Sequence, residues 1–238
     1  MSNFSKSEMT GYSGYYQTVV LTDDQELTRT GPGTPCGEYM RRFWWPVAMV
    51  EQVTDLPLLI KVLGEELVLF RDLSGRLGLL HKHCSHRRAS LEYGIPAERG
   101  LRCCYHGWLY DETGQCIEQP YEETEDPDAR FKDKIKMKAY PVEEKAGLLF
   151  AYLGPQPAPL VPNWDVFSAE AVVRDIGYAE LPCNWLQCQE NSLDPLHFQW
   201  LHRYFGGYMM NRLKPPEERD AWNAITSGKG QDHKKIGF

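Results

Sequence analysis

No uninterrupted apolar run in this 238-residue sequence approaches the roughly 20 residues that span a bilayer. No transmembrane helix is therefore expected. The N-terminal stretch MSNFSKSEMTGYSGYYQ lacks the apolar core of a secretory signal. Positive charge is in deficit: 26 Lys and Arg stand against 33 Asp and Glu, a net charge of −7. Such a chain has no global attraction for nucleic acid or an anionic membrane surface. Internal repeats and low-complexity tracts are absent, and 42% apolar with 25% charged residues excludes a disordered or collagen-like chain. The cysteines are Cys36, Cys84, Cys103, Cys104, Cys116, Cys183 and Cys188. An odd number, in a chain that is neither short nor secreted, predicts free or metal-bound thiols in a cytoplasmic protein.

What is present divides into three stretches. Residues 1–38 are polar and carry the breaker cluster Gly31-Pro32-Gly33-Thr34-Pro35, with a short helix expected over Cys36–Arg42. Residues 39–157 read as short strands and turns. Leu58–Leu63 and Glu66–Arg71 form a hairpin about Gly64-Glu65, Arg76–Leu80 a further strand, Leu109–Asp111 and Gln115–Ile117 a hairpin about Thr113-Gly114, and Gly147–Leu153 a closing apolar strand. The Pro-rich stretch Pro155–Pro162 predicts a stiff connection. In 158–238, Val172–Tyr178 is expected to be a strand, and 184–204 a helix that restarts or kinks at Asp194-Pro195.

Two short motifs carry metal chemistry. Cys84-Ser85-His86 and Cys103-Cys104-Tyr105-His106 are separated by 16 residues. A two-Cys, two-His set first suggests zinc, but zinc fingers usually put both Cys in one pair and both His in the other. Here each loop supplies one thiolate and one imidazole. That suits a binuclear cluster in which one iron takes both Cys and the other both His, the Rieske [2Fe-2S] arrangement, whose imidazoles raise the reduction potential. Gly94, Gly100 and Gly107 are expected to let backbone N–H groups approach the sulfides, and Trp108 to shield them from water. Cys104 has the wrong spacing for a ligand, and His81 and His83 read as ordinary strand-face histidines.

The stretches Cys84-Ser85-His86-Arg87-Arg88-Ala89 and Cys103-Cys104-Tyr105-His106-Gly107-Trp108 resemble the Rieske domain of ring-hydroxylating oxygenases. Arg29–Pro35 with Arg41-Arg42-Phe43-Trp44-Trp45-Pro46-Val47 resembles the phthalate and phenoxybenzoate dioxygenase branch. The resemblance implies an α+β chain: a β-rich Rieske domain, then the first part of a helix-on-antiparallel-sheet catalytic domain.

Polar groups then recur at Asn191, Asp194, His197 and His202. On a regular helix the two histidines would lie about 140° apart, which is poor for one face, and two His at this spacing are a weak metal signal alone. The set is nevertheless similar to the oxygenase pattern Asn-x2-Asp-x2-His-x4-His. The resemblance implies that His197 and His202 hold a mononuclear non-haem Fe(II). Asp194 would bridge to a Rieske histidine of a neighbouring subunit, and Asn191 would line the iron pocket.

A two-histidine iron site needs a carboxylate as third ligand. In the resembled family it lies far downstream, whereas only 36 residues follow His202 here, with Asp220 and Asp232 as the acids considered. The expectation is a split or truncated oxygenase subunit, inactive without the missing C-terminal half, or else a Rieske electron carrier with no oxygenase activity of its own. The resemblance implies an NAD(P)H-dependent reductase and sometimes a ferredoxin as electron donors. It further implies O2 and a small aromatic substrate, and a homotrimer or a complex with a chain supplying the missing half.

Overall fold

The apolar run Leu67-Val68-Leu69-Phe70 explains the layering of the fold. All four side chains are buried, in a strand that serves two cores. Leu67 and Leu69 pack with Leu79, Leu149 and Ala151. Val68 and Phe70, on the opposite face, pack with Leu80, Leu101, Trp108, Tyr110, Cys84 and Cys103. Successive strand side chains point to opposite faces, so a strand covered on both sides needs apolar residues at every position. Burying each such side chain contributes about 1.5–3 kcal/mol.

The computed structural model describes residue 14, residues 19–128 and residues 130–220. Residues up to Tyr178 form one compact unit and those from Ala179 a second. In the first unit two short helices, α1 (Gln25–Thr28) and α2 (Pro35–Met40), precede the strands. Thr34 caps α2 by accepting from the Gly37 N–H, with Pro35 at the first helical position, where its missing N–H costs nothing. The strands are β1 (Trp44–Met49), β2 (Leu58–Val62), β3 (Glu65–Arg71), β4 (Leu77–His81), β5 (Ile95–Pro96), β6 (Leu101–Arg102), β7 (Leu109–Tyr110), β8 (Cys116–Glu118), β9 (Ala139–Tyr140), β10 (Val142–Lys145) and β11 (Leu148–Tyr152). Helix α3 (Pro120–Glu125) follows β8, and α4 (Asp165–Ser168) follows β11. The described strands form antiparallel sheets ordered β1-β11-β10, β2-β3-β4-β9 and β5-β6-β7-β8.

The β2–β3 turn is Leu63-Gly64, one residue earlier than the sequence predicts. Both residues are left-handed, with φ of 44° and 75°, as a two-residue primed hairpin turn requires. Glu65 belongs to the strand because its carboxylate has buried work. It accepts from Arg41 Nη1 at 2.5 Å, Lys138 Nζ at 2.7 Å and the Tyr140 hydroxyl at 2.7 Å. Two further turns are built alike, at Asp72-Leu73-Ser74-Gly75-Arg76 and Asp111-Glu112-Thr113-Gly114-Gln115. In each the aspartate side chain accepts from the N–H four residues on, and the glycine is left-handed.

The expected strand at Val172–Tyr178 does not form. This stretch is irregular and Val173 is almost wholly exposed. Val172-Val173 is followed at once by Arg174-Asp175, and without a neighbouring ladder the backbone groups go to water, so β-propensity alone does not make a strand. The Pro-rich stretch packs against the strands of the first unit. Val161 is buried against Trp44, Phe150 and Tyr152, and Trp44 Nε1 donates to the Pro159 carbonyl at 2.8 Å.

The second unit is helical. Asn184 caps α5 (Trp185–Leu193), accepting from the Leu186 and Gln187 N–H groups. Asp194 ends α5 and caps α6 (Pro195–His197) through the Leu196 N–H, the restart read from Asp-Pro. The chain continues as a π-helical stretch over Phe198–Phe205 and then α7 (Gly206–Leu213).

Candidate metal centres

The two Cys-x-His loops share one backbone frame. The Cys84 N–H donates to the Ala89 carbonyl at 2.9 Å and the Arg88 N–H to the Cys84 carbonyl at 3.0 Å. Likewise the Cys103 N–H donates to the Trp108 carbonyl at 2.8 Å and the Gly107 N–H to the Cys103 carbonyl at 3.0 Å. The fifth residue of each loop is left-handed, Arg88 at φ 63° and Gly107 at φ 75°. A reversal this tight needs that conformation, which glycine adopts freely and arginine only under strain. Of the three glycines expected to serve the cluster, only Gly107 belongs to a loop frame. The Gly94 N–H goes to the Leu91 carbonyl and the Gly100 N–H to the Asp72 carboxylate. Gly100 is instead a close-approach residue, since a Cβ there would lie 2.1 Å from the Tyr110 carbonyl oxygen.

These frames bring the four predicted donors together. Cys84 and Cys103 lie in the core shared with Trp108 and Tyr110, while His86 is half-buried and His106 exposed. The imidazoles meet with ring centroids 4.5 Å apart, and Trp108 stacks on His86 at 4.6 Å and 9°. Burial pushes the Cys84 thiol up, with Cys103 as a further neighbour that disfavours its ionisation. Burial likewise holds the His86 imidazole below the ordinary histidine value, helped by His106.

Tyr110, absent from the sequence reading, has its hydroxyl 3.2 Å from Cys84 Sγ. Its signal was a tyrosine two residues beyond Trp108, which the alternation of β7 turns into the core. His81 and His83 are tied to the backbone, His81 accepting from the His83 N–H and His83 meeting the Arg88 carbonyl. Cys104 points outward.

The donor set fits a two-iron cluster. His86 Nδ1 is buried without a hydrogen-bond partner among the described residues. A buried nitrogen left unsatisfied costs about 1–3 kcal/mol, which ligation would remove. Among the described residues no three His, Cys, Asp or Glu side chains converge as the ligands of a single ion. Two sulfurs at the dry end and two imidazoles at the wet end are the division a Rieske cluster needs.

In the second unit, the π-helical stretch answers the spacing problem at His197 and His202. Its i→i+5 hydrogen bonding places residues five apart on one face, and the two rings lie 5.1 Å apart at 68°. His197 Nδ1 contacts the Asp194 carbonyl. The Asp194 side chain accepts from the Leu196 N–H at 2.8 Å, and Asn191 lies exposed in the last turn of α5. Asp220 is exposed, and Asp232 lies outside the described residues.

Comparison with known proteins agrees with this geometry. The Rieske [2Fe-2S] domain family matches residues 43–141. The chain is 51% identical over 180 residues to the 5,5'-dehydrodivanillate O-demethylase oxygenase subunit of Sphingobium sp., covering 75% of this chain and 42% of the relative. It is 43% identical over 208 residues to the phenoxybenzoate dioxygenase subunit alpha of Ectopseudomonas oleovorans, covering 81% and 50%. Dicamba monooxygenase bound to dicamba superposes with a TM-score of 0.60 at 28% identity, over 68% of this chain and 48% of that one. The chain thus spans about half the length of the relatives it matches. Residues 43–141 match the Rieske [2Fe-2S] domain family, and most of the chain is similar to oxygenase subunits of O-demethylase and phenoxybenzoate dioxygenase systems.

Proposed function

We propose that this chain is the cluster-bearing part of a terminal oxygenase component, with Cys84 and Cys103 on one iron and His86 and His106 on the other. The observation that carries the reading is the pairing of two buried sulfurs with two facing imidazoles, one of which has a buried nitrogen without a partner. His197 and His202 hold the mononuclear Fe(II), whose third, carboxylate ligand the proposal places outside the described residues. When bound, the cluster supplies one-electron transfer and the mononuclear iron supplies O2 activation.

The chain's own residues set the conditions. Trp108 keeps water from the sulfur end and fixes the His86 ring by stacking. The Tyr110 hydroxyl donates toward Cys84 Sγ. His106, the exposed ligand, is the edge through which electrons leave. Asp194, exposed in this chain, bridges to a histidine of a neighbouring subunit and orients both rings, and Asn191 lines the iron pocket. The partition into 1–38, 39–157 and 158–238 belongs to this proposal.

So do its partners: an NAD(P)H-dependent reductase, directly or through a ferredoxin, O2, and a small aromatic substrate. The assembly is a homotrimer or a complex with a chain that completes the iron site. Hydroxylation, dihydroxylation and O-demethylation are the reaction classes proposed, in keeping with relatives named as O-demethylase, monooxygenase and dioxygenase subunits. No helix among the described residues is long and apolar enough to cross a membrane, and a cytoplasmic location is proposed. Metal and sulfide analysis of the purified chain tests the core of the reading. A red-brown protein is expected, with two iron and two acid-labile sulfide per chain in the cluster and any iron beyond that assigned to the His197/His202 site. Stoichiometric zinc without sulfide would overturn it.

A further inference from the structure

We propose that Cys183 and Cys188 form an oxidisable dithiol, which hydrogen peroxide closes into a reversible disulfide over the first turn of α5. The two sulfurs lie 3.7 Å apart and both thiols are free. Cys183 is exposed and Cys188 half-buried, so a small oxidant reaches them, unlike the buried Cys84, Cys103 and Cys116.

Their positions are set by helix geometry. Asn184 is the N-cap of α5, so Cys183 immediately precedes the cap and Cys188 is the fourth helical residue. Side chains at these two positions meet across the first turn and normally form an apolar staple. Here the staple is made of two sulfurs. Cys183 sits in non-helical backbone, so it can close the remaining gap to the roughly 2 Å of an S–S bond without disturbing the helix.

The chemistry balances with peroxide as the oxidant. One thiolate attacks a peroxide oxygen and the O–O bond breaks, giving a sulfenic acid and a hydroxide that leaves as water with the thiol's proton. The second sulfur then attacks the sulfenic sulfur. The S–O bond breaks, and the oxygen leaves as a second water with the second thiol's proton. Both sulfurs are oxidised, the peroxide is reduced, and a thiol reductant reverses the step. The bond would pin the start of the helix that carries Asn191 and leads to Asp194. The inference does not rest on the oxygenase reading.

The test uses the full chain and hydrogen peroxide, followed by iodoacetamide and peptide mass mapping, with the exposed Cys104 as a gauge of oxidant dose. The expected product is a 183–188 peptide lighter by two hydrogens, resistant to alkylation and restored by dithiothreitol. Hydrogen exchange at the first-turn amides of α5 should slow by roughly tenfold once the bond forms. In Cys188→Ser the bond is lost and Cys183 proceeds to sulfinic acid. If Cys183 and Cys188 stay alkylatable at a dose that consumes Cys104, or both become sulfinic acids without a link, the proposal fails. The wild-type map decides this even if the variant does not fold.

Discussion

Replacing Tyr110 by Phe should lower the reduction potential of the cluster while leaving the cluster in place. The ring of Tyr110 is fully buried, packed with Trp108, Leu101 and Cys116, and phenylalanine keeps that volume. What is lost is the hydroxyl 3.2 Å from Cys84 Sγ. Burial, reinforced by the Cys84 sulfur, pushes the phenol up, so it remains a proton donor throughout the neutral range. A bond donated to sulfur strengthens as the cluster gains an electron and the sulfur becomes more negative, so it favours the reduced form.

Hydrogen bonds between neutral groups are worth about 0.5–1.5 kcal/mol and those to charged groups about 1.5–3, so the gain on reduction is about 1 kcal/mol. For a one-electron couple a tenfold change, about 1.4 kcal/mol, equals about 59 mV, and the expected fall is therefore roughly 40 mV. Protein-film voltammetry reads the potential, and the electron paramagnetic resonance of the reduced cluster checks that it is intact. An unchanged or raised potential with an intact cluster would refute the hydrogen-bond argument.

Changing His106 to Cys should retain a cluster whose potential falls by roughly 100 mV or more, because a thiolate adds negative charge to the second iron; voltammetry again decides. Burial alone would raise Glu65, but the bonds from Lys138, Tyr140 and Arg41 outweigh it and hold the carboxyl below its ordinary value of 4.5. Its stabilisation is therefore present above that pH and is lost as pH falls through the lower, folded value. Glu65→Gln should cost about 3 kcal/mol at neutral pH by stranding Arg41 and should flatten this acid limb in melting curves. Gly100→Ala combines a left-handed φ of 84° with a Cβ 2.1 Å from the Tyr110 carbonyl, and should destabilise by about 2–4 kcal/mol in urea titration. Asp194→Asn keeps the cap on α6, since Asn caps as well as Asp. The circular dichroism should not change, while cluster-to-iron electron transfer in the completed oxygenase should slow by roughly a hundredfold; wild-type turnover would exclude the bridging role.

The cluster loops were readable because their chemistry is local. Four ligands of two types within two short motifs declare their pairing without any knowledge of the sheets beneath. The strand Leu67–Phe70 was equally plain, since a run of apolar residues bounded by turns has few other homes. Val172–Tyr178 also begins with β-branched residues, though Arg174 and Asp175 interrupt it, and whether such a stretch becomes a strand depends on a neighbour that composition does not name. His197 and His202 were legible as residue types and illegible as geometry. Their approach depends on a change of hydrogen-bond register after His197 that leaves no mark in residue spacing. Tyr110 and Glu65 were missed for a related reason: each matters through a partner distant in sequence, Cys84 for one and Arg41, Lys138 and Tyr140 for the other.

The matched backbone frames of the two cluster loops separate two evolutionary pressures. Each cradle is drawn by main-chain bonds and one left-handed residue, while Arg87, Cys104 and Tyr105 are exposed. Drift at these positions can recolour the surface around the electron exit, changing its charge and shape for a new donor or neighbour, without redrawing the cradle. Homologues facing different redox partners should accordingly diverge at these positions while the glycine at position 107 and the ligand spacings stay fixed.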